Sequence, residues 1–201
     1  MAQIKSVCVY CGSSMGRDPV FQQIAERFGR LVGAAGLTLV YGGGSVGLMG
    51  TVARAALEAG GHVTGIIPRF LVEREVMLNE VSELIVTEDM HERKRLMFEH
   101  SDAFVALPGG IGTLEEVVEV LTWAQLGRHK KPVVLADIGA FWQPLAVLLD
   151  HMRDNGFIRP GFEVNYRLAE DVDDILPMLG AALAATSADA LGGRSEVIER
   201  M

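Results

Sequence analysis

The sequence predicts an α/β protein with a Rossmann-like parallel sheet and helices on both faces of that sheet. Three observations lead to this prediction: strands alternate with helices, the strand segments are continuously apolar, and two of the turns after strands are rich in glycine. Continuously apolar strands are typical of a parallel sheet that is buried on both faces. The length of 201 residues, with 49% hydrophobic and 22% charged residues, fits one globular domain.

The first half of the chain supplies four strands and three helices. We predict strands at 7–10, 37–41, 62–67 and 84–86. We predict helices at 19–35, from the glycine-rich turn at 42–50 to 59, and at 90–100. Pro19 stands in the first turn of the first helix, and Gly36 follows its last residue. These are the usual start and stop signals of a helix.

The second half continues the alternation. We predict strands at 103–106 and 133–136, and helices from an N-cap at 113 to 126, at 141–155 and at 171–179. No repeat or linker divides residues 1–180, so we expect them to form a single domain. Residues 181–201 are rich in Ala, Ser and Gly and lack a clear apolar stripe, so we expect a flexible C-terminal tail.

The turn from Leu107 to Glu116 combines a strand exit with a helix entry. Pro108 ends the strand, glycines occupy positions 109, 110 and 112, and Thr113 stands where we predict the N-cap. Unpaired amides and the helix dipole make such a turn a seat for phosphate or carboxylate. Thr113 and Glu116 also have the spacing of a capping box. The turn by itself therefore predicts either an anion site or a purely structural cap.

A cationic helix precedes this turn. At helical spacing Met90, Arg93, Lys94 and Met97 share one arc, so two cations accompany apolar residues that should face the sheet. Such cations either bind an anion in a crevice or lie on a solvated surface. Because the helix and the turn belong to adjacent units of a parallel sheet, both can meet at the carboxyl edge of the strands. This favours the anion site.

Common cofactor sites do not fit the glycine-rich turns. Gly42, Gly44 and Gly47 satisfy G-x-G-x-x-G, but the next strand ends in Ile66-Ile67-Pro68-Arg69 without the acid that holds a dinucleotide ribose. Gly47 is not followed by the lysine of a P-loop. Only Lys94 could plausibly form a pyridoxal phosphate Schiff base. We expect no cofactor.

Metal, nucleic acid and membrane partners are also not expected. The five histidines lack ligand spacing, and Cys8 and Cys11 should point to opposite faces of the sheet as packed thiols. A net charge of -8 disfavours contact with nucleic acid. No apolar run could span a bilayer and no signal peptide is visible, so we expect a cytoplasmic protein.

Five segments together resemble the LOG (Lonely Guy) family. They are Val7–Ser14, Tyr41–Gly50, Met90–Lys94, Ser101–Phe104 and Pro108–Glu116, and they include complete R-K and P-G-G-x-G-T-x-x-E motifs. Members of this family are cytokinin riboside 5'-monophosphate phosphoribohydrolases. The resemblance implies a nucleotide-binding catalytic domain that hydrolyses the N-glycosidic bond of N6-substituted AMP, and also of AMP, to the free base and ribose 5-phosphate. The competing hypothesis is a nucleotide-binding or sensing module without turnover.

The same resemblance assigns roles to residues. It matches Arg93 and Glu116 to the catalytic positions, and it matches Glu75, Lys94, Gly110, Ile111, Gly112, Thr113, Leu114, Glu115 and Thr122 to substrate-binding positions. The amide of Gly109 joins them as part of the phosphate turn. Thr122 is about 120° from Glu116 on an ideal helix. The family is typically dimeric, so we expect a homodimer in which Thr122 acts across the interface.

Overall fold

The computed structural model describes residues 3–72, 77–78 and 80–198, and it describes side-chain surroundings as far as residue 186. The strands are β1 (Ser6–Tyr10), β2 (Thr38–Tyr41), β3 (His62–Pro68), β4 (Glu83–Thr87), β5 (Ala103–Ala106), β6 (Val133–Ala136) and β7 (Arg167–Ala169). The α-helices are α1 (Pro19–Ala34), α2 (Gly47–Glu58), α3 (Arg69–Val72), α4 (Met90–Glu99), α5 (Ile111–Gln125), α6 (Gln143–Asp154) and α7 (Ile175–Ile198).

All seven strands form one parallel sheet in the order β4-β3-β2-β1-β5-β6-β7. The predicted Rossmann-like architecture is therefore confirmed. The strand order reverses between β1 and β5, and α4 lies in the connection that brings the chain from the edge strand β4 back to β5. Ligands of open α/β sheets bind at such a reversal, outside the carboxyl ends of the strands.

Helices cover both faces of the sheet. One apolar cluster joins α1, α2 and α7 to the sheet, and a second cluster on the other face joins α4, α5 and the start of α6. The α1 and α2 backbones approach closely at Gly29, where an added Cβ would overlap the Val52 carbonyl oxygen. Cys8 and Cys11 belong to opposite clusters, as predicted. Burial raises the pKa of the Cys8 thiol to about 12, so both cysteines pack as neutral groups.

The structure differs from the sequence prediction at the C-terminal end of the sheet. The strand β7 was not predicted, because it has three residues and begins with the exposed Arg167. The helix α7 continues to Ile198, beyond the predicted end at Leu179. Alanine favours helix even where no apolar stripe provides packing, so the loss of the stripe did not mark the end of the helix. The flexibility of residues 181–201 stays a prediction. None of the helices within the described ranges has the length and apolar character that crossing a membrane requires.

Candidate active site

Three loops meet at the carboxyl edge of the sheet. The amide of Gly12, after β1, donates to the carbonyl oxygen of Pro108, after β5, at 3.0 Å. The carbonyl oxygen of Gly12 accepts from the amides of Leu48 at 3.0 Å and Met49 at 3.3 Å, in the first turn of α2. The loop after β1 therefore links the two glycine-rich turns that the sequence singled out.

The helix α5 begins three residues earlier than predicted. Its N-cap is Gly110, which has no side chain to cap the first-turn amides, and Leu114 closes the first turn by donating to the Gly110 carbonyl oxygen at 3.0 Å. Thr113 is therefore not the N-cap. It is buried, and an added Cβ at Gly109 would overlap the Thr113 hydroxyl oxygen. The local packing of Thr113 against Gly109, four residues earlier, explains the shift.

The first turn of α5 is open on its outer side. An added Cβ at Gly110 or Gly112 would meet no heavy atom within 4 Å, and Ile111 between them is 82% exposed. Uncapped amides at a helix N-terminus attract anions through their N–H groups and through the helix dipole. The geometry of the turn therefore suits a phosphate.

Arg93 and Glu116 form a buried ion pair beside this turn. Arg93 projects from α4 and is 8% exposed, and Glu116 projects from α5 and is 9% exposed. The Nη1 atom of Arg93 donates to Oε1 of Glu116 at 2.6 Å, and its Nε donates to the carbonyl oxygen of Ile66 at 3.2 Å. The Glu116 carboxylate thus faces Arg93 and does not form the capping box with Thr113.

Two opposing effects act on the Glu116 carboxyl group. Burial raises its pKa, and the adjacent Arg93 guanidinium lowers it through charge and a hydrogen bond. Burial prevails, so the pKa of Glu116 lies above its ordinary value. A carboxyl group with a raised pKa beside a fixed cation is characteristic of acid–base and charge-stabilising sites.

Lys94 is held on the exposed side of the same helix pair. Its Nζ donates to Oε1 of Glu115 at 2.6 Å and to Oε1 of Glu119 at 3.0 Å. Burial lowers the pKa of Lys94, but the two carboxylates outweigh it and the net pKa is raised. A Schiff-base lysine must react as a neutral amine, so this environment disfavours pyridoxal chemistry at Lys94.

The other predicted substrate positions on α5 differ in their exposure to solvent. Leu114 is half-buried and Glu115 is exposed. Thr122 is on the exposed face of α5 and donates its hydroxyl to the Val118 carbonyl oxygen at 2.7 Å. Within one chain, Thr122 therefore does not face Glu116.

Glu75 lies outside the described residues. The chain that follows it is anchored at the glycine-rich turn after β2: Met77 forms an antiparallel bridge with Gly44, and Leu78 donates its amide to the Gly43 carbonyl oxygen at 3.4 Å. These contacts place Met77 and Leu78 at the same edge of the sheet as the site.

Sequence reasoning missed two groups that hold Arg93. One is the carbonyl oxygen of Ile66, for which side-chain patterns give no signal. The other is Gly42, which contacts the guanidinium closely and which the sequence analysis treated only as part of a dinucleotide fingerprint. Its position at the exit of β2, beside a predicted cationic helix, is the signal that could have identified it.

Two surface grooves lie away from the ion pair. One of about 420 Å³ runs past Lys130, Tyr166 and Arg167, near the amino ends of β6 and β7. Another of about 320 Å³ lies between α4 and α5 beside Lys94 and Trp123. Neither groove is lined by Arg93 or Glu116.

Fold and site together define a Rossmann-like protein with an uncapped, glycine-rich helix N-terminus beside a buried arginine–glutamate pair. Residues 49–179 match a family model described as possible lysine decarboxylase. The chain is 46% identical over 180 residues to a cytokinin riboside 5'-monophosphate phosphoribohydrolase of Arabidopsis thaliana, covering 90% of this chain and 79% of the relative. It is 47% identical over 170 residues to the Rhodococcoides fascians enzyme of the same name, covering 84% and 86%. The chain belongs to this family, the LOG family, and the resemblance seen in the motifs is confirmed.

Solved structures support the fold. The Moco carrier protein of Chlamydomonas reinhardtii superposes with a TM-score of 0.66 at 23% identity, covering 91% of this chain and 99% of that one. The molybdenum cofactor binding protein of Rippkaea orientalis gives a TM-score of 0.68 at 22% identity with the same coverage. At these identities the likeness concerns the fold alone.

Proposed function

We propose that this protein hydrolyses the N-glycosidic bond of cytokinin riboside 5'-monophosphates, which are N6-substituted forms of AMP, and also of AMP. The products are the free base and ribose 5-phosphate. The observation that carries the proposal is the buried Arg93–Glu116 pair next to an uncapped, glycine-rich helix N-terminus. The names of relatives that share almost half of its residues support the same reaction.

The glycine turn would hold the 5'-phosphate. Amides from Gly109 to Thr113 line the start of α5, and the open space at Gly110 and Gly112 lets an anion approach the backbone. In a chain with a net charge of -8, a local device of this kind is needed to attract a phosphate ester. Fixing the phosphate also fixes the ribose, which lowers the entropic cost of reaching the transition state.

Glu116 and Arg93 would act on the glycosidic bond itself. Breaking the bond from C1' to the base leaves positive charge on the ribose, and the Glu116 carboxylate stabilises that charge and orients the attacking water. The water oxygen bonds to C1', and one of its protons ends on the departing base. Arg93 opposes the effect of burial on the pKa of Glu116 and so favours its ionised form. It also stabilises negative charge on the leaving base.

Three further positions are assigned as part of the same proposal. Glu75 would bind the ribose hydroxyls, and Lys94 with Glu115 would contact substrate at the rim of the site. Thr122, exposed on α5, would serve the site of a second copy in a homodimer. Exposed apolar side chains support such an interface, namely Ile111 and Val118 on α5 and Leu126 directly after it.

We place this homodimer in the cytoplasm, acting on small molecules with neither nucleic acid nor membrane as a partner. The negative net charge disfavours contact with polyanions.

The test is to incubate the protein with AMP and with N6-isopentenyl-AMP and to detect the free base by chromatography. We expect Glu116→Gln to retain AMP binding in calorimetry and to lose base release, because the amide keeps the shape and removes the charge. Glu58→Gln, an exposed carboxylate on α2, is the matched control and should behave as wild type. Base release from neither nucleotide by the wild type would favour the non-catalytic binding module. Full hydrolysis by Glu116→Gln would remove Glu116 from the mechanism.

A further inference from the structure

Gly42 lies against the guanidinium of Arg93 at the exit of β2. A Cβ at this position would overlap Nη2 of Arg93, and it would lie 3.6 Å from the Arg93 Cζ and 3.2 Å from the Met49 sulfur. The neighbouring Gly43 has a φ of +80° and Gly47 a φ of +62°, so backbone conformation explains those two glycines. Gly42 is outside the left-handed region. Glycine is therefore required at position 42 because a side chain has no room there, and not because of the backbone conformation.

The guanidinium has little room to move away from an added side chain. Its Nε donates a hydrogen bond to the Ile66 carbonyl oxygen, and its Nη1 donates one to Glu116. Its Nη2 faces Gly42. A guanidinium is planar, so its nitrogens cannot shift independently. Any displacement of Nη2 therefore disturbs the other two contacts.

We propose that Gly42 is a positioning residue, whose missing side chain lets the Arg93 guanidinium reach Ile66 and Glu116 at the same time. This inference rests on the proposed function for its kinetic consequence. The atom that an added Cβ would displace is the end of a side chain and not backbone, so the fold can tolerate Gly42→Ala while the ion pair changes.

The kinetic effect should fall on turnover more than on binding. The phosphate turn from Gly109 to Thr113 lies on another loop, so KM should stay within about threefold of wild type. Misplacing the Arg93–Glu116 pair should lower kcat on the order of 100-fold. Because Arg93 lowers the pKa of Glu116 against burial, its displacement should also move the acidic limb of the kcat/KM profile to higher pH.

The experiment compares Gly42→Ala with two other glycine-to-alanine variants in kcat, KM and pH profile. At Gly180 in α7 an added Cβ meets open space, so this variant should behave as wild type. Gly29→Ala collides with the α2 backbone away from the site, so it should lose stability and keep its kcat below its unfolding temperature. The proposal fails if Gly42→Ala lowers kcat no more than Gly29→Ala does and if the pH profile of Gly42→Ala is the same as that of the wild type.

A second background isolates the contact. Lysine at position 93 lacks Nη2, so adding Gly42→Ala to Arg93→Lys should lower kcat less than about twofold, because the clash is gone. An equal loss in both backgrounds would show that Gly42 acts independently of Arg93 and would overturn the proposal.

A crystal structure of Gly42→Ala provides a readout that does not depend on activity. We expect the hydrogen bond from Arg93 to Glu116 to be broken, and an unchanged bond would also overturn the proposal. If the wild type hydrolyses no nucleotide and this bond is broken in the variant, the proposed function fails and the positioning role stands.

Discussion

Replacing Arg93 by methionine keeps much of the side-chain volume and removes the cation that faces Glu116. The remaining carboxyl group is then buried without its partner. Deleting one member of a buried ion pair typically costs about 3–5 kcal/mol, because the other charge stays in a low-dielectric site. Both side chains are about nine-tenths buried, so solvent screening reduces this figure little.

The cost should depend on pH in a defined direction. The pKa of Glu116 is raised in the folded protein, and it should rise further without Arg93. A group with a raised folded pKa stabilises the fold at low pH and loses that stabilisation as the pH rises through the folded value. We therefore expect Arg93→Met to cost less at pH 4.5, where the raised pKa favours the neutral carboxyl group, than at pH 8, where the cost should approach about 3–5 kcal/mol.

This difference can be measured by urea unfolding at the two pH values. The fluorescence of the buried Trp142 monitors the unfolding. Arg27→Met is the matched control, because Arg27 pairs with Asp173 on the surface, and it should show little change at either pH. The double variant Arg93→Met/Glu116→Gln should lose the pH dependence. Equal destabilisation by Arg93→Met at pH 4.5 and pH 8 would refute the reasoning.

Three further predictions concern the core and the buried titratable groups. Gly29→Ala should lower the free energy of unfolding by at least about 1 kcal/mol, since an added Cβ overlaps the α2 backbone. Gly180→Ala should raise the free energy of unfolding by up to about 1 kcal/mol, because alanine favours helix more than glycine does. Urea titration measures both changes. Burial lowers the pKa of His129, so NMR titration should find it neutral at pH values where an ordinary histidine is protonated. Cys8 and Cys11, buried with raised pKa values, should resist iodoacetamide in the native protein and react with it in urea.

The convergence of Arg93 and Glu116 could be predicted because it follows from topology. In a parallel sheet, consecutive units deliver their strand ends to one edge, and helical spacing placed Arg93 among residues that face the sheet. The identity of the partner was less accessible. The sequence allowed Glu116 to cap its own helix, and only the position of α4 beside α5 on the same face of the sheet shows that it faces Arg93.

The start of α5 could not be read from the sequence for a physical reason. Both Gly110 and Thr113 are acceptable N-cap residues, so local preference leaves the choice open. The packing of Thr113 against Gly109, two residues before the helix begins, decides it. Likewise, a strand of three residues beginning with Arg167 has no apolar pattern, and its pairing with β6 is a tertiary contact.

The helix α4 lies in the connection between the two halves of the sheet, and this position affects when the site forms during folding. Strands β1 to β4 form one half of the sheet and β5 to β7 the other, and the chain passes between the halves once. Arg93 lies on that single passage and Glu116 in the second half, while Asp102 binds the amides of Lys5 and Ser6 across the seam at 2.8 and 3.1 Å. Neither half contains the ion pair by itself. During folding, the pair should therefore form only when the halves join, so recovery of the active site would report this long-range step and not the folding of either half.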